Sequence, residues 1–212
     1  MCKRIFVLLA LMTTVCTISA CSVRGGFGDR DMDIYEKIHR YYSEMERYSA
    51  KLTFTVFSNK TENQYMAEQK SIGNDKFYTT ITNGDRALSV TTITNGEKTK
   101  TLTEGSDYSL TVPSAEVTGL LFVNRFFTAY YSSEETVLTA GGAAKGNVTV
   151  LETELSLNRT NFAKMTLTVD NKTLAPKTLT VYDLGGKEVL KGEFSEFIYN
   201  DKAVEEAAFS TD

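Results

Sequence analysis

The chain has 212 residues, a formal net charge of −4 at pH 7 and 42% hydrophobic residues. This length accommodates one domain with a sizeable core. The acidic balance, without basic clusters, argues against nucleic acid as a partner and against electrostatic attraction to anionic lipid.

The first 20 residues have the layout of a secretory signal peptide. Lys3 and Arg4 precede an apolar run over residues 5–12, which is much shorter than the ~20 residues of a transmembrane helix. Residues 18–21, ISAC, resemble the bacterial lipobox. The resemblance implies cleavage between Ala20 and Cys21 and a diacylglycerol bound covalently to the Cys21 sulfur. An ordinary secreted protein that happens to carry a cysteine at this position is the alternative.

Lipidation would leave the mature chain without a free thiol, because cleavage also removes Cys2 and Cys16. No later stretch is apolar enough for a transmembrane helix, so the acyl chains on Cys21 would be the only membrane anchor. The expected location is extracytoplasmic, attached to the cell membrane. Residues 21–31 are polar and Gly-rich and predict a flexible tether, since ten such residues span roughly 17–19 Å. Residues 32–212 are expected to form one domain.

The first part of this domain is predicted to be a helix followed by a meander of strands. Residues 33–47 carry one apolar stripe at helical spacing, formed by Ile34, Ile38, Tyr41, Tyr42 and Met45. From residue 51 the period becomes two, which predicts strands at 51–57, 64–72, 76–82, 86–94 and 98–103. The octapeptide TTITNGDR at 79–86 returns as TTITNGEK at 91–98, and each Asn-Gly pair is typical of a tight hairpin.

The second part is predicted to begin with a short strand at 108–112, followed by a helix over 114–131. Four more strands are predicted after it, at 148–156, 162–170, 177–183 and 187–199. The helix carries more apolar side chains than one face requires. It either packs on the sheet or covers an apolar hollow, and the residues expected at such a hollow are Val117, Leu120, Leu121, Phe126 and Phe127. Phe209 is the expected anchor of the acidic C-terminal tail.

These elements predict an α+β fold with a curled antiparallel sheet of about eight or nine strands. Helices against its concave face would make the sheet a half-open barrel.

No catalytic constellation is visible in the sequence. The single histidine, His39, has no nearby nucleophile motif such as G-x-S-x-G, and it is predicted to be a half-exposed helix residue. One histidine without a mature thiol does not supply a usual zinc site. We therefore expect no enzyme, no metal and no cofactor other than the lipid on Cys21.

Several segments resemble the LolA/LolB-type superfamily of lipoprotein carriers. They are YSAKLTFTVFS at 48–58, KFYTTI at 76–81, the long stretch AKMTLTVDNKTLAPKTLTVYDLGGKEV at 163–189 and GEFSEFIYN at 192–200. The resemblance implies a half-open barrel crossed by helices, with a hollow that holds acyl chains.

Other segments are similar to the GerS-related germination lipoproteins of spore-forming clostridia, namely VFSNKTENQYMAEQ at 56–69, NRFFTAYYSSEETV at 124–137 and VLETEL at 150–155. This resemblance implies a lipid-anchored, non-catalytic protein at the spore membrane. Its implied role is to bind and activate a cortex amidase of the CwlD type, an N-acetylmuramoyl-L-alanine amidase, during sporulation. The alternative is a carrier or binder of lipids or lipoproteins in the apolar hollow.

The lipobox hypothesis is tested by Cys21→Ala. Because the lipid is attached to the Cys21 sulfur before cleavage, this variant is expected to accumulate as an unprocessed, mislocalised precursor. Electrophoretic mobility and detergent phase partitioning measure the two effects. A variant that is still processed and still enters the detergent phase contradicts the hypothesis.

Overall fold

An 11-stranded antiparallel sheet is the framework of the computed structural model, which describes residues 33–83, 86–115, 119–133, 137–140, 147–155 and 161–212. The strands are β1 (Arg47–Phe57), β2 (Glu62–Ile72), β3 (Lys76–Asn83), β4 (Arg86–Asn95), β5 (Lys98–Thr103), β6 (Ser109–Pro113), β7 (Val137–Ala140), β8 (Val148–Glu154), β9 (Lys164–Asp170), β10 (Pro176–Tyr182) and β11 (Glu188–Tyr199). The described residues also form two helices, α1 (Ile34–Ser43) and α2 (Val123–Ser132), and a short 3-10 turn at Glu206–Phe209.

The strand order is β6-β5-β4-β3-β2-β1-β11-β10-β9-β8-β7. The first and last strands therefore lie side by side in the middle, where β1 pairs with β11 along the stretch from Tyr48 to Val56. Every other neighbour is the next strand in the chain, and the two edges are β6 and β7. The sheet is two meanders joined by one long-range pairing.

Alternation along the strands gives the sheet an inner and an outer face. On β1 the buried residues are Tyr48, Ala50, Leu52 and Phe54, at every second position. Between them stand polar or charged residues such as Lys51, which lie on the outer face. The two helices pack on the inner face.

The strands bend where β1 meets β11. The pairing shifts register between Lys51 and Leu52, which is an irregularity of the β-bulge type that increases local twist. Gly192 lies opposite Phe54, and a Cβ there would come within 3.0 Å of Leu52 Cδ1. Glycine at this position therefore lets the bent strands stay closely packed.

One large core lies between the helices and the inner face. Its fully buried members include Val123 and Phe126 of α2 and residues of β8 to β10, namely Leu151, Met165, Leu167, Val169, Leu179 and Val181. Full burial of one such side chain contributes about 1.5–3 kcal/mol. The α2 segment is thus held by the second meander.

The predicted fold class is confirmed, because the structure is α+β with a curled antiparallel sheet forming a half-open barrel. The sheet has 11 strands, more than the predicted total of about eight or nine, because all ten of the predicted strand segments and also β7, which was not predicted, belong to it. The first helix ends at Ser43, so the predicted end at residue 47 is wrong. Arg47 and Tyr48 pair instead with Ile72 and Ser71 of β2, and this long-range pairing overrides the helical stripe.

The second helix is shorter than predicted and begins at Val123 rather than at residue 114. Pro113 is the last residue of β6. Gly119 has φ of +80° and Phe122 is extended, so the chain turns in this segment before the helix starts. The apolar run that suggested one long helix is therefore divided between a turn and a helix.

The C-terminal segment packs on the outer face. Phe209 is buried, as predicted, and it shares a cluster with Val204 and Ile93 of β4. An ion pair between Lys76 of β3 and Glu206 ties the 3-10 turn to the sheet.

Tyr48 provides a stability test of the link between sheet and helix. Its hydroxyl oxygen accepts the Val123 backbone N–H at 3.1 Å in a fully buried position. We expect Tyr48→Phe to lower the free energy of unfolding by about 1–3 kcal/mol, because that N–H loses its partner. Chemical denaturation measures the change. Tyr108→Phe removes the same hydroxyl from an exposed ring and should change stability by less than about 0.5 kcal/mol. Equal effects of the two substitutions would contradict the assignment.

Candidate functional site

Aromatic rings fill much of the inner face. Phe122 lies 4.7 Å from Phe77 between ring centroids, and Phe126 stacks on Tyr130 at 5.7 Å. Phe127 stacks on Tyr42 of α1 at 4.2 Å. All of these rings are buried. These rings pack against one another and form the core on this part of the concave side.

A cavity of about 260 Å³ remains beside this packed region. It lies between β2, β3 and the turn that precedes α2, and its lining is Phe54, Ala67, Gln69, Thr79, Ile81, Gly119, Leu120, Leu121, Phe122, Phe162 and Leu190. Pockets for drug-sized ligands occupy about 300–1,000 Å³. The cavity is therefore at or below the lower limit for a small organic ligand.

Gln69 introduces a polar group into this largely apolar lining. The side chain is 3% exposed, and its Oε1 has no hydrogen-bond partner among the described residues. Its Nε2 donates a long hydrogen bond of 3.5 Å to the Leu121 carbonyl oxygen. Leaving a buried carbonyl unpaired costs about 1–3 kcal/mol. The cavity can thus accommodate a hydrogen-bond donor, but only one of small size.

The residues predicted for the hollow are divided between two places. Leu120 and Leu121 line the cavity, whereas Phe126 and Phe127 lie in the packed core outside it. Val117, Ala20 and Cys21 lie outside the described residues, so their roles stay predictions.

Gln69 and Thr79 line the cavity although neither was predicted to do so. Gln69 belongs to the series Ala67, Gln69 and Ser71, which alternates with the charged Glu68 and Lys70. This alternation was the available signal. It is weak because the inward residues are small or polar.

The seam between α1 and α2 holds the single histidine. His39 Nε2 lies 3.2 Å from the Tyr130 hydroxyl oxygen, and its ring meets Tyr131 edge-on. Burial, followed by the nearby Tyr131 and Tyr35, raises the pKa of Tyr130 to about 12. Tyr130 is therefore neutral at physiological pH. The arrangement is that of a structural contact between two helices.

The described residues contain no group of three or more His, Cys, Asp or Glu side chains placed to hold a metal ion. In the same part of the chain, no helix has the length and apolar character needed to cross a membrane.

The edge strand β6 exposes apolar side chains to solvent. All five residues from Ser109 to Pro113 are exposed. Tyr108, Leu110 and Val112 expose 88%, 64% and 41% of their surface. We call Tyr108 to Pro113 the β6 edge. Among the described residues, β6 has no strand partner on its outer side, and the backbone groups there and the exposed apolar side chains are suited to contact another polypeptide.

Comparison with known protein families gives a match over nearly the whole chain. A family described as "Sporulation protein YdcC-like" matches residues 2–209. No curated protein matches the chain at a significant level.

Comparison with solved structures gives matches that include three proteins from different bacteria. An uncharacterized conserved protein from Thermus thermophilus has a TM-score of 0.52 at 11% identity, covering 84% of this chain and 93% of its own. A LolA superfamily protein from Nitrosomonas europaea has a TM-score of 0.46 at 14% sequence identity, and the match covers 84% of this chain and 96% of that protein. A chain of the CwlD amidase–GerS lipoprotein complex from Clostridioides difficile has a TM-score of 0.40 at 22% sequence identity, and the match covers 81% of this chain and 93% of that chain. The Thermus match shows a shared fold.

Gln69→Met tests whether the cavity is dry. This substitution keeps the side-chain length and removes the unpaired carbonyl, so it should raise the free energy of unfolding by about 1 kcal/mol. Chemical denaturation gives the value. Gln64→Met, on the exposed part of the same strand, is the matched control and should be close to neutral. Destabilisation by Gln69→Met alone would contradict this expectation and show that the hydrogen bonds of the Gln69 amide, including the one from Nε2 to the Leu121 carbonyl, outweigh the cost of its buried Oε1.

Proposed function

Because the chain belongs to the YdcC-like sporulation protein family, we propose that it is a lipid-anchored, non-catalytic binding protein that acts on a partner during sporulation. The observation that carries the proposal is the way the inner face is occupied. Its rings fill the region under α2, and exposed apolar side chains occur at the β6 edge instead. The geometry favours binding at the surface over storage in the hollow.

The partner proposed is a cortex amidase of the CwlD type, which this protein would bind and activate. Family membership places the chain among sporulation proteins, and the segments at 56–69 and 124–137 resemble germination lipoproteins. In the structure, the first segment forms the end of β1 and most of β2, and the second includes α2. The resemblance thus involves both the sheet and the helix that covers it.

A non-catalytic role agrees with the surroundings of His39. Its Nε2 contacts the Tyr130 hydroxyl, and a neutral phenol with a raised pKa does not act as the carboxylate of a catalytic triad does. Chemistry on the substrate would therefore be left to the partner, and this protein would contribute binding and position.

The anchor at Cys21 would keep this binding domain beside the membrane on its extracytoplasmic side. A tether over residues 21–31 would let the domain move within roughly 20 Å of its attachment point. Restricting both proteins to one membrane surface raises their effective concentration, which supports binding even where the direct affinity is modest.

A second candidate function is the binding of a small lipid, or of part of a lipoprotein, in the hollow. The cavity of about 260 Å³ favours it, because its lining is mostly apolar. Two properties of the cavity make this function the second candidate. A long acyl chain needs more space than the cavity offers, and it has no hydrogen-bond donor for the buried Gln69 carbonyl.

Capture from a sporulating host separates the two functions. The tagged full chain is extracted in detergent and analysed for co-purifying amidase and, by native mass spectrometry, for non-covalent lipid. We expect the amidase in equimolar amount, with a catalytically inactive amidase captured equally well, because binding precedes chemistry. A clean preparation that contains a stoichiometric lipid and no amidase would refute the proposal and establish the second function.

A further inference from the structure

We propose that the β6 edge is the docking site of the partner, which adds an extended segment to the sheet as a further strand. The identity of the partner as an amidase rests on the proposed function, whereas the strand-addition site rests on the features described next.

The first feature is the open backbone of β6. In the described part of the chain, β6 pairs only with β5, and the strand order ends there. One side of its backbone therefore offers N–H and C=O groups to another strand. Natural edges are usually protected by charged residues or prolines. Tyr108 to Val112 contain neither, and Pro113 stands only at the end of the strand.

The second feature is the alternation of the exposed apolar side chains. Leu110 and Val112 are two residues apart and share one face of the strand, with Tyr108 two residues earlier. Their cross-strand neighbours on β5 are Thr101 and Thr99. An added strand with apolar residues at alternate positions would cover these side chains while its backbone pairs with β6. This combination is the usual basis of strand addition.

The third feature is the charge at one end of the edge. Glu104 and Asp107 lie in the turn between β5 and β6, and both are exposed. Residues 101–113 contain no Lys or Arg. A partner segment that fits this edge therefore carries a basic residue at the end that lies beside the turn. The position of this residue also determines the direction in which the segment pairs with β6.

This chemistry separates the partner from two other occupants. The β6 edge of a second copy carries no basic residue, and the Lys98 and Lys100 of that copy lie one strand farther away, on its β5. The tether at residues 22–31 has two arginines but one aromatic residue, Phe27, so it lacks alternating apolar side chains. A segment of another protein supplies both requirements.

The direct test uses the full chain in detergent and a labelled eight-residue peptide of alternating valine and threonine with lysine at one end. Fluorescence anisotropy measures its affinity. We expect Leu110→Lys and Val112→Lys to weaken binding at least tenfold, roughly the effect of losing one well-placed apolar contact. Leu184→Lys is the matched control, because Leu184 is 75% exposed in the turn between β10 and β11. It should bind as the wild type does.

A charge exchange tests the direction of pairing. The double variant Glu104→Lys/Asp107→Lys should lose affinity for the lysine peptide and gain affinity for the same peptide with glutamate in place of lysine. A merely hydrophobic contact would leave this preference unchanged, and that result would overturn the proposed orientation. Thermal unfolding of each variant checks that the fold is retained, as expected for exposed positions.

The same variants in the amidase capture distinguish the two proposals. If the wild type binds the peptide but captures no amidase, the docking site is supported and the proposed function fails. If Leu110→Lys captures the amidase and binds the peptide as well as the wild type does, the docking site is overturned while the proposed function stands. Absence of peptide binding by the wild type also overturns it. A wild-type dimer that Leu110→Lys dissolves, seen by light scattering, would overturn it too and identify a second copy as the occupant.

Discussion

The pairing of β1 with β11 is the interaction on which the rest of the structure depends. These strands come from opposite ends of the domain, and their ladder joins two meanders that are otherwise built from local hairpins. Such a non-local contact has a high loop-closure cost, which the buried side chains on both strands offset. Tyr48 connects this centre to α2 through the Val123 N–H. The helix that fills the inner face is thereby attached to the middle of the sheet.

This arrangement separates the functions that a half-open barrel can support. A carrier needs empty apolar volume on its concave side, whereas here the rings of Phe122, Phe126 and Tyr130 occupy part of that side and leave a cavity of about 260 Å³ beside them. The lining of this cavity includes a buried carboxamide, which is an unfavourable neighbour for hydrocarbon. Burial inside and exposure at the β6 edge both favour a protein partner over a stored lipid.

Much of the fold could be predicted because its signals are local. The alternation at Leu52, Phe54 and Val56 predicted a strand, and the repeated Asn-Gly pairs predicted hairpins. The wrong predictions concern segments whose secondary structure depends on contacts with residues far away in the chain. Arg47 was predicted to be the last residue of a helix yet pairs with β2, and the run before Val123 looks helical although Gly119 turns the chain. At the cavity, Leu120 and Leu121 were predicted, while Gln69 was not, because an inward-facing polar residue has no distinctive pattern.

The local order of residues thus determined the lipobox hypothesis, the succession of helix and strands, and the absence of a recognisable catalytic motif. These depend on short-range spacing, which can be read without knowing what lies across the sheet. Three other properties depend on residues far apart in the chain: whether the hollow is empty, which residues line the cavity and which strand remains at the edge of the sheet. Only the folded protein decides them, because burial and exposure are properties of packing between elements: Phe126 and Leu110 are both apolar, and the fold buries one and exposes the other.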